Sequence, residues 1–303
     1  MSQAANTQPD FSIISVNYNN AELLIKVLER TVTALADFRY EVILVDNGST
    51  DDSLKALEQH FQDHPFIRVI NSGRNGGFGY GCNTGAKQAR APVLWFLNSD
   101  AWVSSTDGLN QTLALARRNS TGIVGTSVLL ENSSATPQGG GDMSFGFFML
   151  SSFRLGAAFR HLPRSWQTKM IRPLSRLRGG LGRYAKSFSH HATQSAFISP
   201  SVGGASFLIR SSVYAQMNGF DEGYFLYDED IDLCLRCLKN NYQNWVSPNV
   251  ITNTYPSATT SRVPSIKLKL IKRSSRRRLI NLHFQGVRRI LLLLATEVTW
   301  LLL

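Results

Sequence analysis

The chain has little sulfur, no acid where its basic residues gather, and no apolar run long enough to cross a bilayer. Its 303 residues include three cysteines, Cys82, Cys234 and Cys237. So sparse and odd a set excludes a disulfide-stapled secreted scaffold; with no signal peptide in front, the expected compartment is reducing and cytosolic. Cys234 and Cys237 have CxxC spacing, but no second pair or nearby His completes a metal site, and on an apolar helix i and i+3 is core packing. Acid is missing from two stretches, 151–200 and 266–289, each of which holds nine Lys or Arg and no Asp or Glu in a chain of formal charge +11. Such blocks suit an anionic surface. Interleaved Leu, Phe and Trp favour a membrane over nucleic acid, for which no helix-turn-helix, zinc-finger or RRM signature is present. The terminal apolar run Ile290–Leu303 is fourteen residues long with Glu297 inside it. A span needs roughly 20. After Arg288-Arg289 it reads as an interfacial helix.

What is present is a globular composition, 43% apolar and 17% charged, where disorder would need fewer apolar residues and more charge. The length fits one large domain, or one domain with a helical appendage. Phe11–Val16 reads as a strand ended by Asn17-Tyr18-Asn19-Asn20, and Ala21–Leu35 sets Leu24, Val27, Leu28, Val32 and Leu35 at helical spacing. Glu41–Val45 is a second strand, Ser53–Phe61 a helix and Ile67–Ile70 a third strand. A glycine-rich loop, Gly73–Gly81, opens a helix through Ala89, and Leu94–Leu97 is a fourth, buried strand. This alternation predicts parallel strands joined by right-handed crossovers. Ser104–Arg118 is expected as a helix and Gly122–Gly125 as the start of a strand. Residues 139–200 loosen into a basic insertion of short helices and loops. Order returns with a strand at Gly203–Arg210, a turn at Gly219–Glu222 and a helix through Leu238.

Chemistry concentrates where strands end. Asn98-Ser99-Asp100 stands where the fourth strand emerges, the edge at which open α/β sheets bind ligands. Asp100, with Asn98 in place of a first acid, can hold Mg²⁺ or Mn²⁺, the ion keeping waters and taking its other ligands from a diphosphate. The same residues also make an ordinary strand-to-loop turn. Asp46 can accept from a base N–H or a ribose hydroxyl, or serve as turn chemistry in Asp-Asn-Gly-Ser. The glycine loop lacks the dinucleotide spacing. It either cradles phosphate at a helix N-terminus or permits tight packing, with Arg74 able to add charge to a diphosphate and Asn83 able to donate to ribose or phosphate. Asp228-Glu229-Asp230-Ile231-Asp232 puts four acids in five residues. Acids in a first helical turn favour the dipole and Asp232 can pair with Arg236, yet so dense a cluster should raise at least one pKa and supply a general base. Tyr224, Phe225 and Tyr227 just upstream form either a sugar-stacking wall or core.

In this order the motifs resemble the inverting glycosyltransferases of family two, most closely the rhamnosyltransferase branch of bacterial surface polysaccharide synthesis. The segments that carry the likeness are Ser15–Asn19, Val45–Asp51, Asn75–Asn83, Leu97–Asp100 and Gly219–Glu222 running into Tyr227–Arg236, within residues 11–260. The resemblance implies a GT-A fold, Rossmann-like and mostly parallel, over residues 11–262, behind a flexible 1–10 and followed by a basic amphipathic helical tail at 263–303. It implies a donor site of Val16, Asn17, Asp46, Arg74, Asn83 and Asp100, with Asp46 on the base and Asp100 and Asn98 on the metal. Asp230 would deprotonate the acceptor, with Glu229 the second choice. The expected activity is inverting transfer of a sugar, by preference L-rhamnose from dTDP-rhamnose, to a lipid-linked or polysaccharide acceptor at the cytosolic face of the inner membrane. Alternatives are a UDP-hexose or galactofuranosyl transferase, or an inactive assembly partner. One departure favours the last: the family's His after the Pro is missing from Asn249–Tyr255, leaving Asn253 or water for that place.

Overall fold

Phe11–Asn17 forms β1 and Tyr40–Asp46 forms β2, and all seven residues of each are buried. An unbroken buried run, with no polar-out alternation, belongs to a strand covered on both faces. A computed structural model describes residues 8–130, 136–137, 144–152, 195–255 and 264–301. Helix α1, Ala21–Ala34, covers one face of the sheet by turning Leu24, Val27, Leu28 and Thr31 inward at three- and four-residue spacing. Then follow α2 (Ser53–Phe61), β3 (Ile67–Asn71), α3 (Phe78–Ala86) and β4 (Val93–Leu97). β1 pairs in parallel with β2 and β4, and β2 with β3, which is the crossover pattern expected from the sequence.

The next stretch departs from expectation. Ala101–Ser105 is a strand, β5, and the helix α4 begins only at Leu109 and ends at Ala116. Ala101 and Val103 are buried while Ser104 is exposed, a period-two pattern that fits a strand on β10 better than the start of a helix. After β6 (Thr121–Leu130), β7 (Thr136–Pro137), α5 (Phe145–Ser152) and β8 (Phe197–Ile198) comes β9 (Ser206–Arg210). β9 inserts antiparallel between β4 and β6. Helices α6 (Ser211–Gln216) and α7 (Glu229–Lys239) lead to β10 (Gln243–Thr254), parallel to β6 with a register shift between Ser247 and Ile251, around Pro248. The main order is β3-β2-β1-β4-β9-β6-β10-β5, with only β9 and β5 running against the others. The fold is thus α/β with a mostly parallel sheet. Most of the expected basic insertion, 139–200, lies outside the described residues.

Alternate residues of each strand feed two cores. Phe11, Ile13, Trp95 and Leu97 face the α1 side, while Ile14, Val16, Leu94 and Phe96 meet Phe207, Phe220 and Leu233 on the other. The tail forms two helices, α8 (Ser265–His283) and α9 (Gly286–Leu301). Arg273 and Arg277 of α8 both pair with Glu297 of α9, and Leu279, Ile280 and Leu292 close a third core with Phe148, Tyr224 and Leu235. Among the described residues no helix is long and apolar enough to cross a membrane.

Candidate active site

The parallel strands end in polar residues along one edge: Asn17 on β1, Asp46 on β2, Asn71 on β3, and Asn98 to Asp100 just past β4. Asp46 is 1% exposed. One of its oxygens accepts from Asn17 Nδ2 (3.0 Å) and Ser49 Oγ (2.6 Å), the other from Ser49 N–H (2.9 Å). Its carboxylate therefore closes the β2 turn. Asn17 keeps a buried Oδ1 without a hydrogen-bond partner, an acceptor still open beside that turn.

Close packing surrounds the glycines of the Gly73–Gly81 loop from Gly76 onward, while a Cβ on Gly73 would meet nothing within 4 Å. Gly77 has φ of +93°, and a Cβ there would strike the Phe225 carbonyl oxygen, which accepts from Phe78 N–H at 3.0 Å. Gly48 has φ of +68°, and its Cβ would lie 2.5 Å from the Arg74 backbone. The loops after β2 and β3 thus touch backbone to backbone, and Asn47 Nδ2 ties them by donating to Gly77 O at 3.0 Å. Arg74 is exposed at the rim, its guanidinium 4.6 Å from the centre of the Tyr80 ring.

Two expected donor-site residues turn away from that role. Asn83 spends its amide inside the protein: Nδ2 donates to Phe220 O and Glu222 Oε1 (both 2.9 Å), and Oδ1 accepts from Tyr214 OH (2.5 Å) and Phe220 N–H (2.9 Å). It fastens α3 to the 219–222 turn and presents no donor to ribose or phosphate. The Val16 side chain belongs to the core on the α3 side and offers no polar group.

The Asn98–Asp100 loop is held from both sides. Asn98 N–H donates to Ala205 O (3.0 Å), and Asp100 O accepts from Tyr255 N–H (3.0 Å). Ser99 and Asp100 are buried, and Asn98 Oδ1 is a buried oxygen with no hydrogen-bond partner. One carboxylate beside one orphaned amide oxygen fits a divalent cation that draws its remaining ligands from water and diphosphate. No group of three or more His, Cys, Asp or Glu able to hold a metal occurs among the described residues. Asn253, at the place of the missing His, accepts on Oδ1 from Ser104 Oγ at 2.7 Å.

The four acids of the cluster part ways. Asp232 is 1% exposed and is clamped by Arg236 (2.7 Å) and by His283 Nε2 (2.6 Å). Asp228 pairs with Arg276 at 3.0 Å. Asp230 is half-buried, accepting from Gly204 N–H (2.8 Å) on Oδ2 and from Ile231 N–H (2.8 Å) on Oδ1. Glu229 is buried, with Oε2 unpartnered. Burial pushes both the Glu229 and Asp230 carboxyls above the ordinary carboxylate range; the Asp230 charge adds to the rise at Glu229, and Asp228 adds to both. Two raised, adjacent carboxyls are what a proton acceptor working near neutral pH requires. Of the aromatics upstream, Tyr224 is buried core and Phe225 is 44% exposed.

Asp230 and the Asn98–Asp100 loop meet through consecutive residues. Gly204 N–H reaches Asp230 while Ala205 O receives Asn98 N–H. A site on the carboxyl edge of a mostly parallel sheet, with a carboxylate for a cation on one side and a raised carboxyl pair on the other, defines a GT-A-type transferase. Solved structures of that fold superpose along nearly the whole chain. A Pyrobaculum calidifontis mannosyltransferase in complex with GDP-Man and Mn²⁺ covers 99% of this chain and is covered over 72% of its own, at a TM-score of 0.56 and 15% identity. GalNAc-T7 with UDP, GalNAc and Mn²⁺ covers 97% here and is covered over 55%, at 0.62 and 15%.

Residues 12–171 match the family described as Glycosyl transferase family 2, and the chain belongs to that family. It is 25% identical over 272 residues to N-acetylglucosaminyl-diphospho-decaprenol L-rhamnosyltransferase of Mycobacterium tuberculosis, a match covering 84% of this chain and 79% of that protein. It is 61% identical over 33 residues to rhamnosyltransferase WbbL of Escherichia coli K12, 11% of this chain and 12% of that one. A chondroitin synthase of Escherichia coli is 35% identical over 96 residues, 30% of this chain and only 13% of that longer protein.

Proposed function

We propose that this glycosyltransferase moves L-rhamnose from dTDP-rhamnose, with inversion, onto a lipid-linked or polysaccharide acceptor at the cytosolic face of the inner membrane. The observation that carries the reading is the Gly204-Ala205 bridge, which fixes the Asp230 carboxylate and the Asn98–Asp100 loop against each other. Asp230 takes the proton of the acceptor hydroxyl. The freed oxygen electron pair attacks the anomeric carbon from the face opposite the diphosphate, the carbon–oxygen bond to the diphosphate breaks, and the nucleotide leaves with that pair. Glu229 beside it keeps the pair's protonation near neutrality and is the second candidate for the base. Asp100 and Asn98 would hold Mg²⁺ or Mn²⁺, which when bound would supply positive charge to the departing diphosphate. Asn17 and the Asp46 turn face the base end of the donor, with Arg74 at the diphosphate rim. The lipid-diphosphate acceptor in the name of the mycobacterial relative supports an acceptor of that kind.

Calorimetric titration with dTDP, UDP and GDP, each with and without Mn²⁺, tests the donor. Metal-dependent binding of dTDP alone is expected. Preference for UDP turns the reading to a UDP-hexose or galactofuranosyl transferase. No nucleotide binding at all favours an inactive assembly partner, the reading that the absent His and the committed Asn253 would then explain.

The tail supports the membrane assignment. Val287, Ile290, Leu291, Leu294 and Val298 of α9 are 43–70% exposed, at three-, four- and seven-residue spacings that place them on one stripe, next to Arg288 and Arg289. The protein is expected to sediment with vesicles containing about a third anionic lipid, and to be lost from them when Ile290 and Leu294 are both changed to Asp or when salt is raised. Equal recovery of both proteins in the pellet would remove the stripe from this role.

A further inference from the structure

The acids of the site are met by a helix that the chain reaches only some 40 residues later. Along α8, Lys272 Nζ lies 4.6 Å from the centre of the Tyr227 ring, Ser275 Oγ donates to Leu226 O (2.8 Å), and Arg276 pairs with Asp228 (3.0 Å). Arg278 grips Asp221 with two bonds (2.8 and 2.9 Å), and His283 closes on Asp232 (2.6 Å). The segment so held is strained. Tyr227 and Asp228 have φ of +72° and +65°, a left-handed pair of non-glycine residues immediately before Glu229 and Asp230. Backbone of this kind persists only where surrounding contacts over-determine it.

We infer that Arg276 is a positioning residue for the transfer reaction, holding Asp228 in its left-handed turn so that α7 starts where Asp230 can face the acceptor. The inference rests on the proposed role of Asp230. Asp221 and Asp232 are fastened by neighbouring residues of the same helix, so α8 acts as one brace, but only Arg276 reaches the residue that sets the direction of α7. The charged and titratable groups around Asp228 are Arg276 from α8, Tyr224 from the preceding loop, and Glu229 and Asp230 from α7, with Cys82 of α3 beyond Glu229. Burial raises the Asp228 carboxyl and Arg276 opposes the rise. In the wild type the Asp228 charge, although paired with Arg276, still raises the Glu229 and Asp230 carboxyls.

This gives signs that a purely structural brace would not produce. Arg276→Ala leaves a bare Asp228 charge and moves the acid limb of the kcat–pH profile to higher pH. Asp228→Asn removes a charge that raises the pair, leaves an unopposed cation and moves the limb to lower pH. The double variant, with both charges gone, places the limb below the wild type and above Asp228→Asn. At pH 8, kcat of Arg276→Ala is expected to fall about 10²-fold, the scale of an ångström of misplacement. The dissociation constant for the nucleotide should stay within about twofold, because its site is built from the first 100 residues. Arg276→Lys, which can still reach the single Asp228 contact, is expected to recover most of kcat.

Melting temperatures are read on every variant. An Arg276→Ala protein with wild-type kcat and an unmoved limb overturns the inference. So does one in which kcat and nucleotide affinity fall together with the melting temperature and Arg276→Lys rescues none of them. Asp230→Asn is assayed alongside: if it turns over normally, the base assignment has failed. If it is dead while Arg276→Ala is fully active, only the brace has failed.

Discussion

Asp230→Asn is expected to reduce sugar transfer by about 10²–10⁴-fold, the usual contribution of a positioned general base. The amide keeps an oxygen for the Gly204 N–H bond, so the loop that also holds Asn98 stays in place and nucleotide binding should change little. A variant within threefold of wild type would move the role to Glu229 or out of the cluster. The pH profile carries the same chemistry. Because burial holds Glu229 and Asp230 above the ordinary carboxylate range, activity should rise with pH along a limb well above pH 5 and level off only when the pair has given up its proton. Stability runs the other way. Between the ordinary carboxylate pKa and the raised one the folded protein binds more protons than the unfolded chain, so stability falls as pH rises through that window. Glu229→Gln should remove the larger part of that slope, since Glu229 is the carboxyl raised further, and should shift the Asp230 limb little, since Glu229 is still protonated where Asp230 ionises. Thermal melts and kcat at half-unit pH steps from 5 to 9 read both.

Asp100→Ala is expected to be the second large loss. A divalent cation held there would neutralise charge on the departing diphosphate, an effect of several kcal/mol, which at about 1.4 kcal/mol per tenfold means a hundredfold or more in rate. Unlike Asp230→Asn, this variant should also lose the part of nucleotide affinity that depends on Mn²⁺. It should leave metal-free binding near the wild-type value. A full Mn²⁺ increment in the Asp100→Ala titration would mean that the ion is held elsewhere. Asn98→Ala should show a smaller loss with the same pattern, because it removes a neutral oxygen rather than a charge.

The parts of the fold that the sequence makes legible are those whose cause is local. β1, β2 and β4 are unbroken apolar runs with polar residues at their ends, and the helices between them carry their inward faces at helical spacing. β5 was hidden because Trp102 and Ser104 fit either period, and its pairing with β10 decides the matter from some 150 residues away. The antiparallel entry of β9 had no local signal either; Trp95 Nε1 meets Ser206 Oγ across 111 positions. In the site, strand-end position singles out Asp46, Asp100 and the acidic cluster as residue types. It could not divide four acids into two clamps and one coupled pair, because the dividing groups, Arg276 and His283, lie about 50 positions on in what reads as a uniformly basic block. The inward-turned side chains of Asn83 and Val16 are illegible for a related reason. Being next to a motif does not say which way a side chain faces.

The insertion of β9 beside β4 also governs the order in which the protein becomes active during synthesis. β1 to β4 and the polar edge they carry depend on nearby partners and can assemble while the ribosome is still making the remainder. The Gly204-Ala205 bridge, the Asp230 carboxylate and finally Arg276 and His283 emerge much later and must all join that edge. A nascent chain that has exposed only its first hundred residues therefore lacks Ala205 and Tyr255, which hold the Asn98–Asp100 loop, as well as the proposed base. A chain stopped at residue 262 would keep Asp221, Asp228 and Asp232 while lacking Arg276, Arg278 and His283. Maturation of the catalyst thus waits on residues beyond 262.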